Sequence, residues 1–151
     1  MGQFILSPVQ GSLKLKNYLG RWYEIARLPH HFERDIDYVT ATYTRKDKKV
    51  IVVNQGRKEG KGVSVQGYAR LKDKPHIGEL EVSFFRPFYG DYRIIELAPD
   101  YSYAVVTSST KNYFWILART SKMAPELQQR LIAKAKAWGF NIEKLEFPKQ
   151  E

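Results

Sequence analysis

Asn17-Tyr18-Leu19-Gly20-Arg21-Trp22-Tyr23-Glu24-Ile25-Ala26-Arg27 is the stretch from which the fold is read. A glycine followed by a Trp-Tyr pair and then alternating side chains describes a backbone that makes a close approach and enters a strand whose first inward residue is large. Side chains two apart share a sheet face, so Trp22, Glu24, Ala26 and Leu28 point one way. That face is bulky at its start and small afterwards. In a closed barrel such a gradient plugs one end at Trp22 and leaves room further along, which is the shape of a ligand cup. Glu24 is its awkward member, because a carboxylate turned inward needs a partner or a proton.

Outward from this stretch the strand signal recurs. Pro29 ends the first run, and His30-His31-Phe32-Glu33-Arg34-Asp35 reads as a loop. Tyr38 to Thr44 and Val50 to Gln55 are β-rich runs joined by a lysine-rich hairpin; Val39, Ala41 and Tyr43 share one face, as do Val50, Val52 and Asn54. Gly62 to Leu71 carries Val65, Gly67 and Ala69 on a slim face, and Leu80 to Phe84 alternates cleanly, with Leu80, Val82 and Phe84 inward. Phe85-Arg86-Pro87-Phe88-Tyr89-Gly90 interrupts the pattern as an aromatic-rich loop or edge. Asp91 to Leu97, Tyr101 to Ser108 and Lys111 to Arg119 complete a meander with short turns.

Eight strand-like segments counted from Gly20 predict an all-β, antiparallel, up-and-down barrel. A C-terminal α-helix follows. Pro125 suits its first turn, Glu126 complements the dipole, Gly139 supplies the stop, and Leu127, Leu131, Ala135 and Trp138 form one apolar stripe for packing on the barrel. Ile142 to Phe147 reads as a short ninth strand. Residues 1–16, with Pro8 and Gly11, read as an extended segment ahead of a single domain over 17–151.

At 151 residues the chain is long enough to bury a core without staples. It has no cysteine, which excludes disulfides, thiolate catalysis and cysteine metal sites. The adjacent His30 and His31 have no third ligand nearby at metal spacing, and no phosphate loop, nucleophile elbow or metal motif occurs. These features predict a protein with no catalytic residues, no metal and no cofactor. A formal net charge of +9 favours anionic partners, although the basic clusters Arg45 to Lys49, Arg57 to Lys61 and Arg70 to Lys74 fall at turns, as solvated hairpin tips do. Basic charge with 14% aromatic residues also admits an alternative, a nucleic-acid-binding β surface of oligonucleotide-binding type. That fold has five strands, fewer than are counted here.

The set Gly20-x-Trp22-Tyr23, Asp100-Tyr101 and the strand-terminal Arg119 resembles the three motif regions of the lipocalins. The segments Val39-Thr40-Ala41-Thr42-Tyr43, Val82 to Gly90 and Tyr113 to Thr120 place the resemblance with the bacterial and apolipoprotein D-like group, over about Asn17 to Phe147. The resemblance implies that Arg119 lies across the Trp22 indole at the closed end, a contact of about 0.5 to 2 kcal/mol. Alternation and resemblance together imply a cup lined by Ala26, Leu28, Val39, Ala41, Val52, Val65, Ala69, Leu80, Val82, Phe84, Ile94, Tyr113, Trp115 and Leu117. The ligand expected there is a fatty acid or lysophospholipid, bound, stored or transported without catalysis, with its polar end at the mouth among basic and tyrosine side chains. Nucleic acid is not an expected partner. Membrane-surface association fits the charge, and the state expected is a monomer or weak homodimer, the aromatics from Phe84 to Tyr89 offering a surface. Bacterial relatives are typically anchored to the outer membrane through an acylated cysteine, whereas this chain begins Met1-Gly2-Gln3-Phe4. Removal of a leader and a soluble intracellular form both stay open.

Overall fold

Alternating sequences joined by short turns give β1 (Gly20–Arg27), β2 (Ile36–Lys46), β3 (Lys49–Lys58), β4 (Lys61–Leu71), β5 (Glu79–Phe85), β6 (Phe88–Leu97), β7 (Tyr103–Thr107) and β8 (Phe114–Ala118). Each strand pairs antiparallel with the one before it, and β8 returns to β1, so the sheet closes as a barrel in sequence order. The structure is a computed structural model describing residues 14–29, 35–47, 49–71, 79–85 and 88–150, with backbone only at Leu71, Glu79, Phe84, Phe85, Phe88 and Tyr89. The His30 to Asp35 loop, apart from Asp35, and residues 1–13 of the expected extended segment lie outside the described residues. The rest of that segment differs from expectation: Leu15 and Lys16 begin a one-turn helix, α1 (Leu15–Tyr18), set ahead of the first strand.

Two apolar clusters follow from the alternation. Inside the barrel, Trp22, Tyr43, Val50, Val52, Ala69, Leu80, Tyr92, Ile94, Ala104, Val106 and Leu117 pack together with Tyr18. On the outer face of the wall, Ile25, Val105, Phe114, Ile116 and Ala118 meet Leu131, Ala135 and Phe140 from α2 (Pro125–Ala137) and the turn after it. Truncating the fully buried Leu131 would cost about 2 to 5 kcal/mol. The helix starts on Pro125, which has no N–H to leave unpaired. It stops where Gly139 takes φ +94°, with Phe140 N–H donating to the Ala135 carbonyl and Gly139 N–H to that of Lys136.

A bulge between Glu24 and Ala26 corrects the expected phase of β1. Up to Glu24, which stands opposite Leu117, even-numbered residues face inward; beyond the extra residue, Ala26 stands opposite the outward Ile116 and Arg27 opposite Trp115. Ala26 and Leu28 therefore join the helix-facing cluster, contrary to their expected place in the cup. The expected ninth strand is also revised. Ile142–Lys144 is a turn of 3-10 helix, and only Glu146 makes a bridge, to Arg27. From there the tail lies between β1 and β2: Tyr38 N–H donates to the Lys149 carbonyl at 2.8 Å, and Gln150 Nε2 donates to the carbonyls of Glu24 and Val39, both at 2.9 Å.

Candidate ligand cup

The closed end is built around Trp22, which has no solvent exposure. Its indole N–H donates to the carbonyl of Tyr18, the last residue of α1, at 2.8 Å. On the other side the Arg119 guanidinium carbon lies 3.8 Å from the ring centroid. Arg119 spends its donors on three carbonyls, Nε on Tyr101 (3.2 Å), Nη1 on Arg21 (2.9 Å) and Nη2 on Asn17 (2.8 Å), so one side chain ties α1, β1 and the β6–β7 turn together. Partial burial pulls its pKa below the usual arginine value. Gly20 sits against this fork at φ +100°, where a side chain would be strained and its Cβ only 3.4 Å from Arg119 Nη1. The β6–β7 turn is held by Asp100, whose carboxylate accepts the Ser102 N–H at 3.0 Å. The Ser102 side chain first, and this backbone bond second, keep the carboxyl below its ordinary pKa.

Beside the indole three tyrosines converge. Tyr18 packs 5.0 Å from Trp22, ring centre to ring centre. Its hydroxyl meets that of Tyr92 at 2.6 Å, and Tyr43 donates to the same Tyr92 oxygen at 2.9 Å. Polar groups taken this far from water need one another as partners, and burial pushes the pKa values of Tyr18 and Tyr92 well above the ordinary value. The plug thus extends from one indole to a cluster of four aromatic side chains.

Toward the other end the wall opens. Val52, Leu80, Ile94 and Val106 are fully covered, whereas Ala41, Val82 and Trp115 are half-buried at inward positions. Val65, which shares the inward face with Ala69 and stands opposite Asn54, is 45% exposed. Tyr113 stacks on Trp115 at 5.8 Å, and Val39 is buried. Glu24 has the partner its position demands. The bulge brings Arg27 onto the same face, where Nη1 donates to Glu24 Oε1 at 3.2 Å, Nε to Glu146 Oε1 at 3.1 Å and Nη2 to the Ile36 carbonyl at 3.0 Å. Both members of the Glu24–Arg27 pair are buried. Among the described residues no three metal-ligating side chains converge.

Residues 13–150 match the family model described as a lipocalin-like domain. The chain is a lipocalin. Members of this family bind small hydrophobic ligands. The lipocalin is 41% identical over 145 residues to the outer membrane lipoprotein Blc of Citrobacter freundii, covering 94% of this chain and 82% of that one. It is 36% identical over 137 residues to apolipoprotein D of Rattus norvegicus, covering 83% and 71% respectively. Insecticyanin from the tobacco hornworm Manduca sexta superposes with a TM-score of 0.76 at 18% identity, over 97% of this chain and 85% of that one, a likeness of fold.

Of the expected lining of this lipocalin, Val52, Ala69, Leu80, Ile94 and Leu117 fall in the interior cluster, and Ala41, Val82 and Trp115 pack on it. The Phe84 side chain, like the rest of the Phe84 to Tyr89 aromatic group, lies outside the described side chains. Tyr23, in the family motif, packs on the helix side of the wall. Sequence reasoning missed Tyr18, Tyr92 and Arg27. Tyr92 alternates with Ile94 and was within reach of the same rule; Arg27 was within reach only through the inward Glu24, whose need for a cation is the one local mark of the bulge.

Proposed function

We propose that this lipocalin carries an acyl-chain lipid, a fatty acid or lysophospholipid, with its tail in the barrel interior and no reaction performed on it. The observation that carries the reading is the gradient along the inward wall, from a sealed aromatic base to an exposed valine at an inward position. Apolar wall accepts a hydrocarbon tail, and each methylene buried contributes about 0.8 kcal/mol, so eight of them contribute about 6. Lys58 and Lys61, opposite each other at the open end of β3 and β4, set positive charge where the polar end of the lipid would lie. A closed eight-stranded barrel leaves no place for the five-stranded oligonucleotide-binding alternative. No described helix is long and apolar enough to cross a membrane. Likeness to the outer membrane lipoproteins supports a place at the outer membrane or in the periplasm. The test is displacement of a fluorescent fatty acid by oleate and by lysophosphatidylglycerol. Wild type releases the probe to both, and Val65→Phe, which narrows the inward wall where it is exposed, weakens binding about tenfold with an unchanged melt. Failure of the wild type to take up the probe overturns the reading.

A further inference from the structure

The outside of the barrel carries a second hollow. Arg21 and Tyr23 alternate with the inward Trp22 and Glu24, so they face out from β1, beside Thr40 of β2 and Gln55 and Arg57 of β3. With Tyr38, Gly56, Ser121 and Gln150 they line a groove of about 370 Å³. None of the described residues in its lining is acidic: two arginines, two tyrosines and four further hydrogen-bonding side chains, those of Thr40, Gln55, Ser121 and Gln150, surround one space. Asp37 stands opposite Arg57 in the strand register but outside the groove, its Oδ1 accepting the Lys149 N–H at 2.9 Å.

Two features show that this wall is shaped. The register of β2 against β3 slips between Asp37 and Thr40, and Tyr38 within the slip is held at φ +58°, a region costly for a residue with a side chain. That geometry brings the phenol under the Arg57 guanidinium, 4.8 Å from the ring centroid. The tail closes one side, Gln150 being pinned through Nε2 to two carbonyls.

We propose that this groove binds a phosphate-bearing headgroup of a few carbons. Guanidinium forks match phosphate oxygens two at a time, and a fork stacked on an aromatic ring is already oriented. The hydroxyls of Thr40 and Ser121 add neutral donors. The volume, near the lower end for small-molecule sites, exceeds a bare phosphate and suits one esterified to a glycerol-sized group. The site lies outside the barrel and does not depend on what the interior carries.

The experiment titrates the full-length chain with glycerol 3-phosphate at constant ionic strength, following ¹H–¹⁵N spectra, and separately floats it with phosphatidylglycerol vesicles. Wild type shows saturable shifts at the Arg21, Thr40 and Arg57 amides and at the Gln150 side-chain amide. Arg21→Gln and Arg57→Gln each weaken binding about tenfold, as loss of a charged hydrogen bond does. Thr40→Asp, which leaves both arginines and adds an anion, abolishes it. Lys46→Gln/Lys49→Gln, which removes two charges far from the groove, changes nothing. The same spectra report whether each variant is folded. Flotation that fails in Arg21→Gln identifies the headgroup as that of a lipid; saturable glycerol 3-phosphate binding without flotation identifies a soluble phosphoester. Shifts that rise linearly and spread over the lysine-rich hairpins, or equal weakening by the lysine variant, overturn the proposal.

Discussion

Tyr92→Phe isolates the hydroxyl on which the interior tyrosines converge. Tyr92 takes part in both bonds of the cluster, at 2.6 Å with Tyr18 and 2.9 Å from Tyr43, while Tyr18→Phe or Tyr43→Phe removes only one. A buried hydroxyl deprived of its partner costs about 1 to 3 kcal/mol. Tyr92→Phe is therefore expected to cost about 2 to 4 kcal/mol, and Tyr18→Phe about half of that. Replacing both partners of a buried bond with apolar groups of the same shape is far less costly than removing one. The triple Phe variant should thus fall well below the sum of its singles. Urea denaturation followed by tryptophan fluorescence reads these values, since Trp22 lies against Tyr18, with m compared across variants to confirm a common unfolded reference. Additive costs, or a Tyr92→Phe no worse than Tyr18→Phe, would refute the idea that Tyr92 is the hub.

The same cluster predicts alkaline lability. Tyr18 and Tyr92 keep their protons in the folded state above the ordinary value of 10.0, whereas the unfolded chain releases them near it. Above that pH the unfolded state binds fewer protons, so stability falls by about 1.4 kcal/mol per pH unit per tyrosine and is unaffected by them below it; the triple Phe variant loses this part of the slope and keeps the part due to Tyr103, whose pKa burial also raises, and urea midpoints from pH 8 to 11 check this. At the closed end, Arg119→Gln loses the indole contact and the fork to three carbonyls, an expected cost of about 2 kcal/mol given the partial exposure, or about 4 to 8 °C in a thermal melt. Arg119→Lys recovers less than half, because one ammonium cannot span three carbonyls.

Most of the barrel was legible because regular hairpins keep their phase: once Val82 is inward, Leu80 must be, and Val50, Val52 and Asn54 follow one another through unbroken register against β4. β1 was misread after Glu24 because a bulge is a property of the pairing with β8, beyond what a single strand's sequence records. A clue was present in the inward carboxylate. It required a cation, and Arg27, three residues on, can share its face only if one residue is inserted between them. The ninth strand failed for a related reason: Ile142 to Phe147 alternates, but the described wall offers it only the short opening between β1 and β2. The outer groove was out of reach, since Arg21, Thr40, Arg57 and Gln150 are brought together by closure alone.

Closure itself has a kinetic meaning. Seven of the eight seams join strands consecutive in the chain, and each can zip from its own turn within microseconds. The eighth sets Tyr23 against Ala118, and it must wait until every stave between them stands. Contacts made that late contribute little to the climb toward the native state and much to the difficulty of leaving it, so the seam of residues 23–27 with β8 governs how long the assembled vessel lasts more than how quickly it forms.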